Sequence, residues 1–447
     1  MGATQTLARF IADMRYDDLP AEVAEAAKVG IIDGVANMVA GSTQPAAEII
    51  GRYTQDLGGA ARCSVVGWGF KTNAPSASFA NGVFGHCLDF EIQGHPPTHG
   101  TSSCLPAALA LGEEAGVSGK TIIEAYVLGW EVQARLRTAA VPANTGGLHP
   151  PGYVGPMGGA AASARVLGLD EHHTRLALGI AASRTGGLTA NTGTMMKSTH
   201  PGNAARMGAE SAILARAGYT SNEDVLEAPL GYVAALFRNE FDWEVLTGGL
   251  GTEYRLVDPG FDIKRFPAQV YMQRTIEAVL NLRERHDVRP DMVETLTIET
   301  YNTGRSGSAP RSGLDGKFSI AYCASAALLD GFVNIDTFTD ERRFSPDMEE
   351  TLRRVQVKPI AQQQEVAKAT ALLKDGRTVN EECLWFRGSI GNPMDREERL
   401  AKFTDCVRRV LSEQDTKQLT DMLEHLEDVP DVSSIMAIIG QRPSGNG

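Results

Sequence analysis

Residues 21–41, AEVAEAAKVGIIDGVANMVAG, set Val23, Ala27, Ile31, Val35 and Met38 three and four positions apart, with Gly41 as a stop. That spacing is one face of an α-helix. The same apolar period, built largely from alanine and glycine, recurs in CLPAALALGEEAG, TIIEAYVLGWEVQARLRTAA, MGGAAASARVLGL, DEHHTRLALGIAASRTGG and NAARMGAESAILARAG. Small contact residues let helix axes approach closely. The stretch from 21 to about 255 is therefore expected to fold as a compact helical bundle, which suits a chain with 47 glycines and only 6% aromatic residues. Thr121 with Glu124 three positions on reads as a capping box at the start of one of these helices.

The pattern changes at DPGFDIKRFP, residues 258–267. After one more helical segment, AQVYMQRTIEAVLNLRER, the run VETLTIETY alternates as a strand does. VQVKPI and VAKATALLKDGRT follow, the last with an Asp-Gly hairpin turn, and the helix FSIAYCASAALLDG lies between. The 447 residues exceed what one hydrophobic core usually supports. The expected fold is mainly α: a large all-helical domain over 1–255, to which 396–447 returns, and a smaller α+β lid domain over 256–395. The final QRPSGNG reads as disordered.

Several function classes are excluded at this level. A net charge of −13 with no basic run argues against nucleic acid. Six scattered cysteines contain no C-x-x-C pair, which speaks against zinc, iron-sulfur and redox sites and for buried thiols in a reducing compartment. No run approaches eighteen apolar residues and no secretory h-region opens the chain, so no membrane partner and a cytoplasmic location are expected. GVSGKT imitates a P-loop, but Glu114 stands where the first glycine is required.

What survives is a set of loops rich in histidine. HCLDFEIQGHPPTHG, residues 86–100, holds His86, His95 and His99 with Asp89 and Glu91. Zinc on the three imidazoles is one reading, but their spacing matches no helical ligand pair. Histidine precedes proline at 95, 149 and 200, each time beside a small-residue helix. Such loops gathered over helix N-termini would make a site for carboxylates, with Lys197 adding charge. The bland alternative is that proline merely opens each helix. Lys264 and Arg265 lie at the domain boundary, and Lys317 and Tyr322 follow in GLDGKFSIAY. Taken singly, Lys317 and Arg265 read equally well as surface charges and Tyr322 as a core ring.

Taken in order, HCLDFEIQGHPPTHG, EAYVLGWEVQARL, HPPGYVGPMGGAAASARVLGL, LALGIAASRTGGL, GTMMKSTHPGNAARMG, KRFP, GKFSIAYCASAALLDG and GNPMDREERLAKFTDC resemble the MmgE/PrpD family over nearly the whole chain. The family includes 2-methylcitrate dehydratase, cis-aconitate decarboxylase and iminodisuccinate epimerase. The resemblance implies a homodimer with no metal and no cofactor, a small carboxylate substrate, and a site between the helical domain and the lid. It implies Asp89, His99, His149 and Lys197 as catalytic residues, and Lys264 and Tyr322 as substrate contacts; the loops themselves add Arg265 and His200, and the departure from the family adds Gln93, as further substrate contacts. His86 and His95 are then supporting residues. Where many relatives read D-F-D-D-T, this chain has Ile92 and Gln93 in the last two places, positions expected to touch substrate. Hydro-lyase action of the 2-methylcitrate dehydratase type ranks first, decarboxylation second and epimerisation third. A metal-dependent hydrolase and a non-catalytic carboxylate-binding protein are the readings from other classes.

Overall fold

A computed structural model describes residues 2–143, 145–301, 309–361 and 365–442. Most of the closing QRPSGNG, from 443 on, lies outside the described residues. Two hydrophobic cores organise the rest. The larger joins side chains from Leu7 to Ile263 with Met394, Phe403, Leu419, Met436 and other residues of the C-terminal segment. The smaller runs from Phe266 to Phe386.

The larger core is a bundle of helices. Ala21–Gly41, Ala74–Cys87, Thr101–Ala115, Gly119–Ala139, Gly155–Val166 and Met196–Arg216 form its centre. Small residues decide how closely two of these cross. A Cβ on Gly82 would sit 2.8 Å from the Gly202 Cα, and one on Gly202 would meet Val83 Cγ2 at 2.6 Å. Helices Ala74–Cys87 and Met196–Arg216 therefore touch backbone to backbone, which brings residues 86–89 up against Lys197. The Gly119–Ala139 helix starts earlier than the sequence suggests: Ser118 is its cap, accepting from the Thr121 amide. Glu124 instead binds the Tyr16 amide and Arg165, because tertiary partners outcompete a local capping box.

The smaller unit carries a four-stranded sheet, ordered Val355–Pro359, Val293–Thr300, Ala367–Leu373, Thr378–Cys383. The first pair is parallel and the others antiparallel. Helices Val270–His286 and Ile320–Asp330 pack on it. The Ala367–Leu373 strand alternates buried with part-exposed residues, as a sheet with one covered face requires. Helices Arg396–Val407, Glu413–Glu424 and Ser433–Ile439 return to the larger core. All six cysteines are buried and unpaired. No helix among the described residues is long and apolar enough to cross a membrane.

Candidate active site

The site forms where the Ala74–Cys87 helix ends. His86 occupies its last turn, and the chain then turns through Asp89, whose φ of 53° is left-handed. That conformation is costly for a residue with a Cβ, although Asp and Asn tolerate it best. Here the turn is held by charge. Lys197, in the first turn of Met196–Arg216, binds Asp89 Oδ2. Lys264 Nζ reaches Asp89 Oδ1 at 2.5 Å and the Asp89 carbonyl at 2.9 Å. All three side chains are buried.

A continuous polar chain follows. Lys197 Nζ lies 3.0 Å from His86 Nε2, and His86 Nδ1 lies 2.5 Å from Glu91 Oε1. With the ammonium donating to Nε2, His86 carries its proton on Nδ1 and donates to Glu91. Glu91 also accepts from the Ser102 amide at 2.9 Å and the Ser102 hydroxyl at 2.7 Å, capping the Thr101–Ala115 helix. Two further imidazoles complete the cluster. The His99 ring lies 4.6 Å from that of His86 and 6.1 Å from that of His149. His149, at the N-cap of Pro150–Tyr153, meets His200 Nδ1 to Nδ1 at 3.0 Å.

Burial and charge set the protonation states. Burial alone would raise the Asp89 carboxyl, but the Lys197 and Lys264 ammoniums hold it well below its ordinary range. Burial, reinforced by the Lys197 charge, pushes His86 and His149 well below their ordinary value; at His99 the Lys264 charge adds to burial in the same sense. The resting site therefore holds neutral imidazoles around an ionised Asp89. Glu91 is driven up to about 7 by burial, against the hydrogen bonds from Ser102. Burial likewise lowers Lys197, and lowers Lys317 to about 8.

The sequence expectations fare unevenly. Asp89, His99, His149, Lys197 and Lys264 come together, with His200 behind His149. Tyr322 does not join them: it is a core ring of the lid whose hydroxyl donates to the Thr337 carbonyl at 2.6 Å. Arg265 is 48% exposed, against the Phe266 ring and 3.8 Å from Glu277. Ile92 is fully buried and packs in the bundle core. Gln93 is buried in a two-residue ladder opposite Asp262 and does not line the cavity at Asp89. His95 faces Asp262 at 3.2 Å, away from any joint site with His86 and His99. The carboxylate beside His99 is Glu91, at 3.4 Å, and not Asp89.

Three residues outside the expected site are central. Glu91 is hydrogen-bonded to His86 and lies beside His99, and its only signal is its place inside the histidine-rich stretch. Lys317 is buried and reaches from the lid to the Leu88 and Pro267 carbonyls at 3.0 and 2.8 Å. Asp33 accepts from Lys402 at 2.6 Å and from the Ile92 amide at 2.9 Å, with no sequence signal beyond a charge in an apolar helix. His86, His99 and His149 also bring ring nitrogens within 4.8 Å of one another, close enough for a metal ion. The neighbouring Lys197 and Lys264 ammoniums oppose a divalent cation there and favour an anion.

Comparison with known proteins agrees with this layout. The MmgE/PrpD N-terminal domain model matches residues 5–244 and the MmgE/PrpD C-terminal domain model residues 266–428. The chain is similar to the cis-aconitate decarboxylase of Homo sapiens, 29% identical over 98% of this chain and 94% of that protein. It is 30% identical to the cis-aconitate decarboxylase of Mus musculus, over 83% of this chain and 80% of that one. The Aspergillus terreus cis-aconitate decarboxylase is 26% identical over 98% and 96% of the two chains. With both halves matched, in order and across most of its length, the chain belongs to the MmgE/PrpD family.

Proposed function

We propose that this protein is a lyase acting on a small, multiply charged carboxylate, and that its reaction is decarboxylation of an unsaturated tricarboxylate of the cis-aconitate type. The observation that carries this is the buried Lys197–Asp89–Lys264 group, with three neutral imidazoles packed beside it. Dehydration ranked first on the family alone. Relatives named for decarboxylation, in mammals and a fungus, move decarboxylation ahead of it.

The chemistry fits the residues. Carbon dioxide leaves from a carboxylate one carbon removed from the double bond. The electron pair of the broken C–C bond forms a new double bond, and charge moves onto the carbon at the far end of the old one. The carboxylate there shares the charge as an enediolate, until a proton adds at that carbon. One proton is consumed per turnover. Lys197 and Lys264 stabilise the developing charge, commonly the largest catalytic contribution. His149 delivers the proton at carbon, and His99, beside Glu91, handles the opposite face. Both imidazoles are neutral at rest, but a multiply negative ligand favours their protonated forms and so supplies the acid only when substrate is bound.

The cavity at Asp89 and Lys197 is narrow, with room for about one water molecule. Its lid-side wall, Leu314, Lys317 and Phe318, must withdraw to admit a tricarboxylate. The enzyme is further proposed to be a cytoplasmic homodimer that needs neither metal nor cofactor.

The test is an NMR panel of cis-aconitate, methylcitrate, citrate and iminodisuccinate in deuterated water. The expected result is carbon dioxide release from cis-aconitate, with one deuterium entering the product. Loss of water from methylcitrate instead would hand the reading to hydro-lyase action. Exchange without bond loss would favour an epimerase, and binding without any turnover would sink the enzyme reading. Dialysis against chelator with elemental analysis tests the metal, and light scattering tests the dimer.

A further inference from the structure

Three consecutive carbonyls in the site turn are each held by a different lysine. Lys317 donates to Leu88 at 3.0 Å, Lys264 to Asp89 at 2.9 Å and Lys402 to Phe90 at 2.8 Å. The third comes from the returning helix Arg396–Val407 and does not line the cavity at Asp89.

Lys402 uses its whole ammonium. Besides Phe90 it donates to the Lys264 carbonyl at 2.9 Å and to Asp33 Oδ1 at 2.6 Å, and it lies 3.9 Å from the centre of the Phe90 ring. Asp33 Oδ2 accepts from the Ile92 amide at 2.9 Å and from Asn37 at 3.1 Å. The Lys402–Asp33 pair thus grips the backbone at 90 and 92, immediately after the left-handed residue Asp89. The same ammonium grips the backbone of Lys264, whose side chain binds Asp89. An ion pair serving only to bury two charges has no need to span both partners of another ion pair.

We propose that Lys402 is a positioning residue that sets the Asp89 carboxylate and the Lys264 ammonium relative to each other, and so the place where substrate charge is neutralised. This rests on the lyase reading above. Reaction geometry is steeply sensitive to such placement, because a shift of about 1 Å can cost roughly a hundredfold in rate.

The test compares Lys402→Met, Lys402→Gln and the double variant Asp33→Asn with Lys402→Met, each on its folded fraction after size-exclusion. The double variant leaves no buried carboxylate unpaired, and the Asp33→Asn change keeps a side-chain oxygen for the Ile92 amide. The expected result is a kcat about 10- to 100-fold lower with KM changed by less than about threefold, since misplacement penalises the transition state more than ground-state binding. Hydrogen exchange at amides 88–93 should rise together with that loss, and Lys402→Gln, which retains a donor, should lie between wild type and Lys402→Met. A double variant with wild-type kcat, or unchanged exchange at 88–93, would overturn the proposal. Failure of all three variants to fold would assign Lys402 to stability alone, and overturn it equally. If the wild-type protein turns over nothing in the panel, the lyase reading fails, while the exchange measurement still decides whether Lys402 holds the turn.

Discussion

Replacing Asp89 with asparagine isolates the charge at the centre of the site. Asn is among the few residues that accept the left-handed backbone observed there, so the turn itself is not the target. What disappears is the counter-charge of two buried ammoniums, Lys197 and Lys264. Removing one partner of a buried ion pair costs about 3–5 kcal/mol, because the other charge is left unpaired. Unfolding entropy is about 2.1 cal/mol/K per residue, so for 447 residues this corresponds to a fall in the thermal midpoint of about 3–5 °C. Calorimetry at neutral pH measures it. The sign of the pH dependence is determined. Asp89 is held well below its ordinary 3.8, so its contribution is present above pH 3.8 and is lost as pH falls further. The gap between wild type and variant should narrow in that acid range. It should also narrow toward alkaline pH, where Lys197, already lowered by burial, sheds its proton. A tricarboxylate should stabilise the variant more than the wild type, since its own charge then meets two uncompensated ammoniums. A midpoint unchanged to within about 1 °C, with the same response to ligand, would refute the assignment of Asp89 as the buried counter-ion.

Other outcomes can be checked alongside. His149→Asn and His99→Asn should each lower kcat by about 10²- to 10⁴-fold with the fold intact, measured by the same NMR assay; a variant of either that keeps wild-type turnover removes that imidazole from the chemistry. His86, His99 and His149 are all held below their ordinary 6.5, so the stability they contribute is complete above pH 6.5 and lost as pH falls below it. Midpoints recorded from pH 8 down to about 5 should fall accordingly, and a flat profile would contradict the neutral-imidazole description. Gly202→Ala should destabilise by about 1–3 kcal/mol by forcing apart the helices that carry His86 and Lys197. It should lower turnover as well, and a stable, fully active variant would show that the close crossing is dispensable.

Much of the fold was legible because periodicity reports burial. Val23, Ala27, Ile31, Val35 and Met38 recur at helical spacing because one side of that helix faces other helices, and all five are buried. VETLTIETY alternates because its sheet is covered on one face. The failures share one cause, which is that a distant partner overrode a local preference. Glu124 looked like half of a capping box and instead binds Tyr16 and Arg165. Arg265 adjoins Lys264 and Tyr322 follows Lys317 in GKFSIAY, yet the arginine turns toward solvent and the tyrosine into the lid core.

By itself, the sequence determined the helical bundle, the lid, the family resemblance and a short set of histidines, lysines and an aspartate. Those rest on local spacing and residue type, which a linear string records. Only the tertiary structure decided which charges meet. Asp89 and Lys264 are 175 positions apart, and Phe90 and Lys402 are 312 apart. A lysine far from its carboxylate reads as a solvated charge until packing removes the water around both. The same packing made Glu91 the hydrogen-bond partner of His86 and set Ile92 in the core.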